Sequence, residues 1–314
     1  MIKQNLPNGI YLDWNIFQDI KLSRKNGLQL KQCINTLKYK RLVFPYSYSH
    51  IRDLSRSNEK YYEEDFNFIE ELANNNCIYY REENTDMFFS IIVKNPRELM
   101  NICKNTLSVL PEYKATENSV FPIYKVNTDK LKESNILIPF LKKTDGEMNL
   151  SVFTEMINSL KDTLFSDYQL QKQFRNSFQE VVSLGNPAFS FIKDLAFYKH
   201  LFSNEQDIEK YFKDIVSSFL SLSRKTIETI KFGELITTSF YILDFFPSFQ
   251  DKISSKNTIN NSSTDAEHAL YATSCPFFIS NDEHTLKKAK VVYSTFNIST
   301  KVLSSSEFLD IFGC

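Results

Sequence analysis

The chain has 314 residues, 42% of them hydrophobic and 24% charged, with a formal net charge of -1. That is ordinary globular composition and excludes a disordered polymer. It also gives no global attraction to nucleic acid, so any such binding must come from a local basic patch.

No apolar run reaches the ~18 residues of a membrane span, and residues 1–9 are polar, without the apolar stretch of a secretory signal. A cytoplasmic location with no membrane partner is therefore expected. The five cysteines Cys33, Cys77, Cys103, Cys275 and Cys314 are far apart and include no C-x-x-C pair, which predicts reduced thiols. Six glycines form neither G-x-G-x-x-G nor a P-loop, which sets aside most ATP and NAD enzymes.

In chain order, Gly9-Ile10-Tyr11-Leu12 predicts a short buried strand ending in Asp13, followed by Trp14-Asn15. A helix carries Leu28, Leu30, Cys33, Ile34 and Leu37, and Arg41 to Pro45 predicts a second strand. Ser47 or Ser49 then caps a helix on which His50 and Asp53 stand one turn apart, with Arg52 and Arg56 beside them. Phe66, Ile69 and Leu72 mark another helix before a strand at Cys77 to Tyr80. Strands alternating with helices predict a parallel sheet.

From about Thr85 to Phe249 the periodicity is helical. Val152, Met156, Leu160 and Leu164 form one stripe, and Ile208, Tyr211, Phe212, Ile215, Val216, Phe219 and Leu220 another, with a breaker at Gly185-Asn186-Pro187. The aromatic residues of these stripes are expected in the core. Ser254 to Ser263 reads as a polar loop.

Beyond it, Thr264 reads as an N-cap, and Asp265, His268, Ala269 and Ala272 share one helical face. Pro276 stops that helix, and Phe277 to Ile279 predict a buried strand closing in Ser280-Asn281-Asp282. A helix with Lys287, Lys288 and Lys290, a strand near Val302 and a helix from Ser305 to Ile311 complete the chain. His200 and His284 are expected on the surface. The expected organisation is α/β: a sheet sandwiched by helices and built from residues 1–85 and 251–314, with an all-helical insertion at 86–250.

Open α/β sheets bind ligands outside the carboxyl ends of their strands. Y-L-D-W-N, S-x-x-H-x-x-D, D-x-x-H-x-x-x-A and I-S-N-D, in this order, resemble the four acidic motifs of PIN-domain (PIN-like) metal-dependent nucleases, whose fold is a compact parallel α/β/α sandwich. The resemblance covers the first ~85 and last ~60 residues. At the second motif, where the family usually has Glu, this chain offers Asp53.

The resemblance implies a metal-dependent phosphodiesterase acting on single-stranded nucleic acid, RNA before DNA. Its metal ligands would be Asp13, Asp265 and Asp282, with Asp53 as the fourth. His50 and His268 would contact the scissile phosphate or support the ligands. Asn15, Ser280 and Asn281 would orient a phosphate or a ligand carboxylate, and Arg52, Arg56 and the Lys287-Lys288-Lys290 cluster offer a local basic patch for nucleic-acid backbone, although charged helical faces are usually only solvated. Crowded carboxylates resist joint ionisation without a cation, and Mg²⁺ or Mn²⁺ suits oxygen donors. Family habit suggests toxin or defence activity, with the insertion recognising RNA, forming a homo-oligomer or binding a regulatory partner. Two other readings stand beside this one. A haloacid-dehalogenase-type phosphohydrolase would use Asp13 and Ser47, although it wants an acid where Asn15 stands. The other is an inactive binding or scaffold module.

Overall fold

The computed structural model describes residues 6–83, 86–107, 124–148, 167–187, 207–221, 225–244 and 259–313, with isolated positions between them. It separates into two compact units. One comprises residues 1–110, 231–250 and 262–314, and the other residues 111–230 and 251–261.

The first unit is built on a parallel sheet. Strand β1 (Ile10–Leu12) pairs with β7 (Phe277–Ile279), and β7 with β8 (Lys301–Leu303). Tyr11 stands opposite Phe278, and Leu12 opposite Ile279. On the other side of β1, Ile10 N donates to Val43 O at 2.8 Å, and Tyr46 is bridged in parallel to Cys77. The expected strand at Arg41 to Pro45 is thus an extended segment holding two single bridges. Beyond it lies β2 (Asn76–Glu83), which turns back into the antiparallel β3 (Asp86–Val93). From β1 the chain adds pairing on one side first and returns to the other side with β7. The carboxyl ends of β1 and β7 therefore flank the topological switch point, where a crevice is expected.

Asp13 accepts from Trp14 N and so caps α1 (Trp14–Lys21), which is followed by α2 (Gly27–Tyr39). Leu30, Cys33, Ile34 and Leu37 of α2 are buried, whereas Leu28 is exposed. Ser47 opens α3 (Tyr48–Ser55), and α4 (Tyr62–Ala73) buries Phe66, Ile69 and Leu72. The unit is completed by α5 (Pro96–Leu107), α9 (Phe232–Leu243), α10 (Ile259–Ala272, shared with the other unit), α11 (Glu283–Thr295) and α12 (Ser305–Phe312).

The second unit contains β4 (Tyr124–Lys125), β5 (Glu147–Met148) and β6 (Asn186–Pro187) in the order β5-β4-β6, with helices α6 (Ile138–Leu141), α7 (Tyr168–Leu184) and α8 (Ile208–Ser221). On α8 Ile208, Phe212, Ile215, Val216 and Leu220 are buried, as the stripe predicts. Leu160 and Leu164 lie outside the described residues.

Three expectations are corrected. The stretch after Thr85 is not all helical, because the apolar and β-branched run of β3 satisfies its backbone by pairing with β2 along eight residues. The last polar loop does not extend to Ser263, because α10 begins at Ile259. Thr264 is therefore inside the helix rather than its cap, and its hydroxyl receives a hydrogen bond from Arg56. Residues 254–258 of that loop lie outside the described residues. Cys33 is disulfide-bonded, against the expectation of five reduced thiols, while Cys77, Cys103 and Cys275 are free and buried. Among the described residues no helix is long and apolar enough to cross a membrane.

Candidate functional site at the carboxyl ends of β1 and β7

Asp13 leaves the end of β1 with its carboxylate almost wholly buried. Oδ1 accepts from Trp14 N at 2.7 Å, and Oδ2 accepts from Asn15 Nδ2 at 2.5 Å and from Ser280 Oγ at 2.6 Å. Burial pushes this carboxyl above its ordinary range. The charges and donors of His268, Ser280 and Trp14 oppose the rise, and neighbouring Asp53 adds to it.

His268 reaches the same place from α10, where Ala266, Ala269 and Ala272 allow close packing and the imidazole has no exposed surface. Its Nε2 lies 2.8 Å from Asp53 Oδ2 and 3.7 Å from Asp13 Oδ1. Its Nδ1 lies 2.7 Å from the hydroxyl of Tyr11. Burial disfavours the imidazolium, but the hydrogen bond to Asp53 and the charges of Asp13, Asp53 and Glu267 outweigh it, and the pKa is raised.

The second histidine, His50, is equally buried, 4.7 Å from His268 between ring centres. Ser47 N donates to its Nδ1 at 3.0 Å, so the proton is on Nε2, which donates to Leu12 O at 2.8 Å. Burial, and then the charge of His268, drive its pKa well down. His50 is neutral and structural: it closes the capping box at the start of α3 and satisfies the carbonyl at the end of β1. Of the other histidines, His284 is half-buried and His200 lies outside the described residues.

Asp13, Asp53, His50 and His268 therefore come together as the sequence suggests. Of the remaining candidates, Asn15 and Ser280 bond to Asp13, and the others take other partners. Asp282 uses Oδ1 to cap α11 through Thr285 N at 2.8 Å. Asp265, also on α10, has Arg56 within electrostatic reach. Asn15, Ser280 and Asn281 hold one another and the sheet edge: Asn281 N donates to Asn15 Oδ1 at 2.9 Å, and Asn281 Nδ2 to Asp19 Oδ2 at 2.9 Å.

Arg52 is paired with Glu267, and Arg56 with Asp53 at 3.2 Å. Of the lysine run on α11, Lys287 and Lys290 are exposed and Lys288 is withdrawn from the surface. Lys288 is buried and bound to Asp244 at 2.5 Å, and Lys287 donates to Ser248 O above the Phe249 ring.

These observations bear on the divalent cation that the motifs imply. Among the described residues no three His, Cys, Asp or Glu side chains are grouped to hold a metal ion. Both oxygens of Asp13 are occupied by donors, and an imidazole nitrogen stands between the two carboxylates. The residues as arranged do not fit Mg²⁺ or Mn²⁺, and no chemical step is derived through either.

Three participants escaped the sequence reading. Tyr11 was legible only as an apolar strand residue, although a phenol buried on both strand faces must find a partner for its hydroxyl. Glu267 and Asp19 carried no local signal. No family model, curated protein or solved structure matches the chain.

Proposed function

We propose that the chain is a PIN-like phosphodiesterase acting on single-stranded nucleic acid, with RNA as its substrate class. The observation that carries this reading is the convergence of Asp13 from β1 and Asp53 from α3 on His268 of α10, beside the switch point of a parallel α/β sheet. In it, Asp13 is a carboxyl biased by burial toward its protonated form, a group placed to give or take a proton. Asp53 has a 15% exposed side chain and is the more accessible acid. His268 keeps the two acids at fixed separation. Arg52 and Arg56, partly exposed, hold substrate phosphate in exchange for their present carboxylate partners.

A second reading, a binding module without turnover, is favoured by one feature: every oxygen of Asp13 is already satisfied from within. Incubating the purified protein with labelled single- and double-stranded RNA and DNA and with a generic phosphomonoester separates the readings. Each substrate is tested with Mg²⁺, Mn²⁺ or a chelator. The proposal expects cleavage of single-stranded RNA, lost in Asp13→Asn and Asp53→Asn. Retention of RNA on a filter without cleavage selects the binding module, and turnover of the phosphomonoester alone selects a haloacid-dehalogenase-type enzyme. The chelator arm decides whether the Mg²⁺ or Mn²⁺ requirement implied by the motifs applies to this chain.

A further inference from the structure

Behind the Asp53–His268 pair lies a run of buried hydroxyls that the proposed reaction does not use. Tyr11 Oη is 2.7 Å from His268 Nδ1 and 2.6 Å from Ser47 Oγ, and Ser47 Oγ is 3.1 Å from His50 Nδ1. Tyr11, Ser47, His50 and His268 are all fully buried. No substrate reaches these atoms, so the carboxylate–imidazole–hydroxyl line is not a nucleophilic triad despite its spacing.

The proton assignments can be derived from the partners. Asp53 is a carboxylate acceptor, so His268 Nε2 carries a proton. With neutral His268, Nδ1 is bare and accepts from Tyr11, whose oxygen accepts from Ser47. With charged His268, Nδ1 donates to Tyr11, Tyr11 donates to Ser47, and Ser47 donates to His50 Nδ1, which is already fixed as an acceptor by Ser47 N. Both arrangements satisfy every polar atom without moving a heavy atom.

We propose that Tyr11 is a positioning residue: its hydroxyl, backed by Ser47 and His50, holds the ring of His268 from the side opposite Asp53, so that Nε2–H faces Asp53 and Asp13. Without that hydroxyl, Nδ1 is left unsatisfied against an apolar ring edge, and the contact to Asp53 alone no longer holds the imidazole in a single orientation. The inference rests on the proposed phosphodiesterase reading only for its kinetic arm.

The test is nitrogen-resolved NMR of labelled full-length protein, at a pH high enough for His268 to be neutral, for wild type and Tyr11→Phe. This substitution keeps the ring that packs against Phe278. The expectation for wild type is one His268 species, protonated on Nε2 with Nδ1 accepting a hydrogen bond, and for Tyr11→Phe a mixture of ring orientations. A wild-type ring protonated on Nδ1 overturns the proposal even if the variant fails to fold. Identical spectra in the two proteins overturn it as well.

In the RNA assay, Tyr11→Phe is expected to lower kcat by up to roughly a hundredfold with KM unchanged, the cost of a small misplacement in a site. An unchanged kcat overturns the proposal. Absence of cleavage in wild type counts against the phosphodiesterase reading alone, and the spectra still decide the role of Tyr11.

Discussion

The α3 side and the α10 side of the buried cluster each supply one histidine, and both rings are fully out of solvent. Their environments nevertheless push them in opposite directions, His50 toward the neutral form and His268 toward the charged one. Burial penalises the imidazolium in both. The difference lies in what the nitrogens face. His50 meets a backbone N–H and a carbonyl, groups that suit a neutral ring of one tautomer. His268 meets a carboxylate at hydrogen-bond distance and a second 3.7 Å away. A buried polar group is thus defined by its partners rather than by its depth, and the two rings can be told apart by experiment.

Replacing His268 by Leu leaves Asp53 and Asp13 without their shared partner in a low-dielectric site. It is expected to cost about 3–5 kcal/mol of stability, the range for breaking a buried charged pair from one side. Replacing His50 by Leu orphans the Leu12 carbonyl and the Ser47 N–H but no charge, and should cost about 1–3 kcal/mol. Urea unfolding of the two variants checks the order, and a larger loss for His50→Leu would break the comparison.

The pH dependence of stability sharpens it. The folded pKa of His268 is raised above the ordinary value of 6.5, so its stabilisation is fully present below that pH and is lost as pH climbs through the folded value. The folded pKa of His50 is depressed below 6.5, so its environment costs stability as pH falls beneath 6.5. Melting temperature measured across this range should lose its alkaline slope in His268→Gln and its acid slope in His50→Gln. The same slopes in both variants would show that the assignments are reversed or shared.

The smallest effect expected is at Asp282. Because its carboxylate caps α11, Asp282→Ala should cost about 1 kcal/mol and Asp282→Asn almost nothing. A strong rise in stability for Asp282→Asn would instead place this acid in the repulsive field of Asp13.

Much of this arrangement was legible in the chain. Asp13 after an apolar run, Phe277 to Ile279 before Ser280, and Ser47 with His50 three residues on are local patterns, and the structure bears out all three. The spacing of His268, Ala269 and Ala272 also predicted the buried face of α10. Local pattern could not show how the acids divide their labour. Asp282 and Asp13 have the same signature, an acid just past a short strand, and both cap a helix, yet only Asp13 also enters the cluster. That choice is made by contacts across more than 200 positions, such as Ser280 to Asp13. The run of lysines on α11 meets the same limit: helix periodicity gave their faces, but the burial of Lys288 depends on Asp244 of a distant segment. The β3 strand was missed because its apolar run is compatible with a helix until its hairpin partner is known.

The account depends most on the pairing of Asp53 with His268. Titrating the imidazole of His268 by NMR in wild type and in Asp53→Asn measures that pairing directly. The account predicts a His268 pKa above the ordinary histidine value in wild type and a fall in the variant, while His50 takes up a proton only at much lower pH in both. A His268 pKa that does not change between the two proteins would contradict it.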